Sequence, residues 1–214
     1  MKVLLFGASG NIGRVIAQEL LSREHSVTGV TRRGAVDGLE HERFTAVSGD
    51  ATDPATVASL APGHDAVASA VGPAIGREND RDTIVGTTRA LIEGLRKVGI
   101  RRLVTIGGAG SLEAAPGKLV LDDPNFPAVW LANAEAQSEA LTLYREVEDL
   151  DWTYISPAAR IGPGERTGAF RVGGDQLLTD EQGNSDISYD DYAVAFVDEL
   201  ERGTAVRRRI SVAY

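Results

Sequence analysis

A doubly wound α/β domain on a parallel sheet is the fold class that this sequence predicts. Three observations lead there. Short apolar runs alternate with segments of helical periodicity, a glycine-rich turn joins the first of each, and 214 residues suit one hydrophobic core. Residues 3–6 are a continuous apolar run, the pattern of a parallel strand buried on both faces. From 12 to 21 the apolar residues Ile12, Val15, Ile16, Ala17, Leu20 and Leu21 recur at three and four, which predicts a helix. Residues 26–30 read as a second strand, so the chain opens with a β-turn-α-β unit.

The alternation continues with strands at 44–47, 66–71, 103–106 and 152–155, separated by helices at 54–60, 80–98 and 135–150. After Pro157, glycine and proline become frequent between 162 and 174. A strand-like run at 169–172, a helix at 189–200 and a strand at 209–213 follow. The expected organisation is one domain, 1–214, with a dinucleotide-binding core over 1–156 and a small C-terminal substrate lobe over 157–214.

Composition removes several chemistries. The chain has no Cys, so it offers no disulfide, thiolate nucleophile or cysteine metal site. Its three histidines, His25, His41 and His64, lack metal-ligand or triad spacing. With 22 Lys+Arg against 31 Asp+Glu, the net charge is −9, which disfavours a nucleic-acid partner. No apolar run suits a signal peptide or a membrane span, so a cytoplasmic protein is expected, as a monomer or small homo-oligomer acting on a small molecule.

Gly7-Ala8-Ser9-Gly10-Asn11-Ile12-Gly13 lies between the first strand and the first helix. Glycines there permit a tight turn and close backbone approach to a pyrophosphate, and the helix beginning at Asn11 directs free N–H groups and its positive dipole end at that anion. The motif predicts that Gly7, Ser9, Gly10, Asn11, Ile12 and Gly13 bind a dinucleotide. An NAD-specific site usually ends its second strand with an acid that holds the ribose 2′-hydroxyl. Here Thr31-Arg32-Arg33 stand instead, and two guanidiniums suit the 2′-phosphate of NADP. NADPH is therefore expected over NADH. Asp50 and Ala51 follow the third strand, where Asp50 can cap the next segment and meet the adenine amino group. Val71, Gly72 and Pro73 follow the fourth, at the carboxyl edge where ligands sit in open α/β sheets.

Together with the first glycine motif, Gly49-Asp50-Ala51-Thr52-Asp53, Gly107-Gly108-Ala109-Gly110-Ser111-Leu112, Ser156-Pro157-Ala158-Ala159 and the 162–168 loop resemble the atypical short-chain dehydrogenase/reductase proteins. The likeness is to the NAD(P)H-binding and NADH-flavin-reductase group, similar also to biliverdin reductase B and the NmrA-like redox sensors. It implies a Rossmann fold, a bound nicotinamide dinucleotide, and hydride transfer to a flavin or quinone. Gly72, Gly107 and Ser111 are expected to border the nicotinamide, Gly108 and Pro157 to bind the cofactor, and Ser111 could donate a hydrogen bond to an acceptor carbonyl. Arg160 and Arg166 could neutralise an anionic ligand, and Trp130 could stack on a planar acceptor. The group's better-known relatives carry Tyr-x-x-x-Lys as a proton relay. Four residues after Tyr144, Tyr154, Tyr189 and Tyr192 this chain has Glu148, Ala158, Ala193 and Phe196, so no such pair exists. Direct hydride transfer needs less from the protein than carbonyl chemistry does. The alternative is a non-catalytic sensor that binds NADP.

Overall fold

The computed structural model describes residues 1–72 and 80–214; Pro73 lies outside the described residues. In chain order the elements are β1 (Lys2–Phe6), α1 (Asn11–Ser22), β2 (Ser26–Thr31), β3 (Phe44–Ser48), α2 (Pro54–Leu60), β4 (Ala66–Ser69), α3 (Asp80–Val98) and β5 (Arg102–Ile106). A small hairpin of β6 (Glu113–Ala115) and β7 (Lys118–Leu119) runs through a 3-10 turn (Val120–Asp122) towards α4 (Ala128–Arg145). Then come β8 (Asp151–Ser156), β9 (Arg160–Gly162), β10 (Arg171–Gly173), β11 (Asp186–Ser188), α5 (Tyr189–Arg202) and β12 (Arg208–Ala213).

Among the described residues, eight strands form the main sheet in the order β10-β12-β8-β5-β4-β1-β2-β3. Every neighbouring pair is parallel except β10 with β12, at the edge. The chain winds outward from β1 to β3, then returns to start β4 on the other side of β1. That reversal opens a crevice beyond the carboxyl ends of β1 and β4.

The period of two along β1 divides the core into two layers. Val3 and Leu5 pack with Ile16 and Leu20 of α1 and with Phe196 and Leu200 of α5. Leu4 and Phe6 face the opposite layer, with Leu91 and Leu95 of α3 and Leu141 and Tyr144 of α4. Helices on both faces explain why these strands read as unbroken apolar runs.

Three expectations change. The strand expected over 66–71 ends at Ser69, although the Ala70 N–H still donates to the Phe6 carbonyl at 2.9 Å and its backbone lies close against Gly7. The helix expected over 135–150 occupies Ala128–Arg145 instead. Its first turns are exposed and apolar, so they show no amphipathic pattern, and Val147 and Leu150 are buried from a turn beyond it. The expected C-terminal lobe divides in two. β12 and β10 extend the main sheet and α5 completes the α1 layer. The segment between β8 and α5 overhangs the carboxyl edge, where β9 pairs with β11.

Candidate functional site

The turn after β1 is shaped by what glycine leaves out. Gly7 has φ 79°, and a Cβ there would sit 2.7 Å from the Ala70 carbonyl carbon. At Gly13 a Cβ would fall 2.1 Å from the Gly7 oxygen, so α1 meets the turn backbone to backbone. Gly10 is the N-cap of α1, no side chain caps the free amides, and no acid stands in the first turn. That end of the helix is left open to an anion.

From Gly10, Asn11 and Ile12 a cleft of about 1210 Å³ runs along the sheet edge past Ala70, Gly72 and the Ile106–Gly110 loop. One wall is Phe126, Pro127 and the α4 residues Trp130, Asn133, Ala134 and Gln137. The other is the Pro157–Glu165 stretch, with Asp186–Tyr189 and Tyr214 behind it. Glycines after β5 let these walls close in. A Cβ on Gly107 would lie 2.1 Å from the Tyr154 ring, one on Gly108 3.0 Å from Gln137 Cβ, and one on Gly110 2.6 Å from Ala134 Cβ.

Beneath this floor Tyr154 is fully buried, and its hydroxyl donates to Gln137 Oε1 at 2.7 Å and the Gln137 carbonyl at 2.9 Å. The Gly108 N–H donates to the same hydroxyl at 3.3 Å. Burial pushes the Tyr154 phenol well above its ordinary pKa. It therefore anchors α4 to β8.

The outer wall is held by a buried carboxylate. Asp191, in the first turn of α5, accepts from Tyr214 Oη at 2.8 Å, Thr167 Oγ1 at 2.6 Å, the Thr167 N–H at 3.1 Å and the Gly168 N–H at 2.7 Å. Burial raises its pKa, but the bonds from Thr167, Gly168 and Tyr214 outweigh it and hold the carboxyl below the usual range. Tyr214 Oη in turn accepts from the Ser188 N–H at 3.1 Å.

Of the residues singled out in the sequence, Gly10, Asn11, Ile12, Gly72, Gly107, Gly108 and Pro157 line the cleft. Gly7 and Gly13 lie beneath the turn. Thr31 is spent on its own loop, where its hydroxyl donates to the Ala35 carbonyl at 3.2 Å. Arg32 and Arg33 are exposed beyond β2; Arg33 pairs with Asp37 at 3.1 Å, and among the described residues Arg32 has no carboxylate partner. Asp50 caps the turn after β3, accepting from the Thr52 N–H at 2.9 Å and Thr52 Oγ1 at 2.7 Å. Ser9, Ala51 and Val71 flank the cleft without lining it.

Three side chains are placed otherwise than expected. Ser111 does not line the cleft; it is 7 % exposed, and its hydroxyl and carbonyl accept from Arg209 Nη1 at 3.1 and 3.0 Å. Its position corrects the expectation of a donor facing the acceptor. Arg160 lines the cleft, but its Nε and Nη2 are both taken by Asp186 at 2.6 Å. Arg166 is likewise engaged by Glu19. Asn133, Gln137 and Tyr214 were missed, because no local signal marks a cleft-facing amide or a terminal-strand phenol.

This crevice, with its open helix terminus at the topological switch point, defines a doubly wound dinucleotide-binding protein. The chain belongs to the NAD(P)H-binding family, whose model matches residues 7–202. Three solved structures are similar over the whole chain. A Burkholderia pseudomallei protein described as a "putative exported protein" is 46% identical, with TM-score 0.90 and 100% of each chain covered. A "putative epimerase" from Bacteroides thetaiotaomicron is 36% identical, TM-score 0.92, covering 100% of this chain and 96% of that one. A "putative NADH-flavin reductase" from Streptococcus pneumoniae is 33% identical, TM-score 0.84, covering 100% and 99%. Among the described residues no helix is long and apolar enough to cross a membrane.

Proposed function

We propose that this chain is an NADPH-dependent reductase that delivers hydride to a small planar acceptor, a flavin or a quinone. The observation that carries the reading is continuity: the phosphate-facing end of α1 and a chamber walled by Phe126 and Trp130 are one cleft. The glycine cradle fits the dinucleotide, because a side chain at Gly7 or Gly13 would occupy the turn that lets backbone meet phosphate. Bound NADPH would supply the hydride.

The chain's own residues do the remaining work. Asn11 and Ile12 present amides to the pyrophosphate; Ser9, Gly72 and Gly10, whose own N–H is held by the Gly7 carbonyl at 3.1 Å, border it, and Arg32 and Arg33 meet the 2′-phosphate. Thr31, Asp50, Ala51 and Val71 shape the adenosine side. Gly107, Gly108 and Pro157 set the depth at which a flat ring can lie. The walls align acceptor and nicotinamide, which is the main demand of direct hydride transfer. Each turnover also consumes one proton, drawn from water at the open cleft mouth. We place the reaction in the cytoplasm and assign it to a monomer or small homo-oligomer.

The likeness to the Streptococcus pneumoniae protein supports this reading. The epimerase description of the Bacteroides thetaiotaomicron protein is not carried over, since Tyr154 is buried and held by Gln137 and no Tyr-x-x-x-Lys pair exists. The test is NADPH oxidation with menadione, riboflavin, FMN and FAD. Turnover with at least one is expected, and none above background across the four would overturn the reductase.

A further inference from the structure

Among the described residues, the α4 wall of the cleft holds one polar group without a partner. Trp130, Asn133 and Gln137 succeed one another at three and four residues, so they share a face of α4, and all three line the cleft. Gln137 is engaged by the Tyr154 hydroxyl at 2.7 Å. Trp130 is 39 % exposed and offers an aromatic ring. Between them, Asn133 Nδ2 is shielded from water, and among the described residues no acceptor reaches it. A shielded amide N–H with no acceptor is a standing cost to the folded state, and it invites an account of what completes it.

We propose that Asn133 is a specificity-determining residue for the acceptor: its side-chain amide, turned by rotation about its terminal torsion so that Nδ2 faces the cleft, donates to an in-plane carbonyl oxygen of an aromatic acceptor whose ring lies against Trp130. Quinones and the flavin ring system both carry such a carbonyl at the edge of a flat apolar ring. Apolar area holds a ring of this kind in the chamber without choosing its orientation. One directional donor on the wall chooses it, and so decides which ring face and edge meet the hydride source. The inference rests on the reductase reading and names the contact that orients its acceptor.

The test uses binding, so that it does not depend on turnover. Menadione is titrated into the NADP-loaded full chain, read by quenching of Trp130 fluorescence, for wild type, Asn133→Ala and Asn133→Asp. NADPH affinity and the thermal midpoint are measured alongside. In both variants the menadione dissociation constant is expected to rise about three- to tenfold, the worth of one neutral hydrogen bond, with NADPH affinity unchanged. The midpoint of Asn133→Ala should hold or rise, because the variant deletes an unpaired buried donor. Unchanged menadione affinity would overturn the proposal, and so would a loss confined to NADPH, which would move the amide to the cofactor. Should Asn133→Ala fail to fold, the isosteric Asn133→Asp decides alone. Absent turnover in wild type would sink the reductase while leaving this titration decisive.

Discussion

Arg166 grips Glu19 through two hydrogen bonds, Nη2 to Oε1 at 2.9 Å and Nε to Oε2 at 3.2 Å. The pair ties the loop that carries Glu165 and Thr167 at the cleft to the last turn of α1, the helix whose amino end opens on the same cleft. Glu19 is buried, which pushes its carboxyl up in pKa, but the bonds from Arg166 and Arg23 outweigh burial and hold it below the usual range.

Arg166→Ala should therefore act on the loop more than on the fold. Arg166 is 55% exposed, so water screens most of the pair energy. The expected cost is about 1 kcal/mol or less, a fall of roughly 2–4 °C in thermal midpoint for a chain of this size. The acceptor KM should rise severalfold with NADPH affinity unchanged. Thermal unfolding and steady-state kinetics check both, and a matching loss of NADPH affinity would contradict the assignment of this loop to the acceptor.

On the proposed reading, cofactor choice turns on the end of β2. Replacing Arg32 and Arg33 together by alanine should weaken NADPH by roughly tenfold or more and leave NADH almost unchanged. Arg32→Ala should cost more than Arg33→Ala, because Arg33 already shares its charge with Asp37 at 3.1 Å. Asp37→Asn, which frees Arg33, should tighten NADPH. Calorimetry with the two cofactors separates these outcomes; equal losses for both cofactors in the double variant would remove the 2′-phosphate assignment.

Gly13 and Gly10 should respond differently to alanine although both belong to the same motif. A Cβ at Gly13 would lie 2.1 Å from the Gly7 oxygen, whereas at Gly10 it would lie 3.4 Å from that atom. Gly13→Ala is expected to lose both NADPH binding and about 1–3 kcal/mol of stability, since backbone must move. Gly10→Ala should keep its midpoint and lose only affinity. Thermal melts with and without NADPH distinguish the two.

The β1-turn-α1 unit was legible because a period of two, a glycine turn and a period of three to four meet within a few residues. The start of α4 was not: Ala128, Val129, Trp130, Leu131 and Ala132 are all exposed, so apolar character there carries no face. Glycines 107, 108 and 110 were visible, but their reason was not, because it lies in Tyr154, Gln137 and Ala134 pressing on them from β8 and α4. Ser111 was misplaced for the same kind of reason. Its partner Arg209 is 98 residues away in the chain, beyond the reach of any local pattern. The end of the cleft at α1 is built from neighbours in sequence, and the end between α4 and the Pro157–Glu165 stretch from residues that only the completed sheet brings together.

Asp191 sets the acid limit of the cleft wall. Its carboxylate receives Thr167, Gly168 and Tyr214, and these bonds hold its pKa below the unfolded value of about 4 despite burial. A carboxyl whose folded pKa is lowered contributes stability that is complete above the unfolded pKa. That contribution is lost as pH falls through the folded one. Acidification below pH ~4 should therefore release the Thr167–Gly168 loop and Tyr214 and raise the acceptor KM as stability falls. Asp191→Asn, which keeps the shape but loses the charge, should have a lower midpoint at neutral pH and a flatter decline into acid than wild type. Midpoints measured from pH ~3 to ~7 test this, and parallel curves for the two proteins would assign the acid sensitivity to other carboxylates such as Glu19.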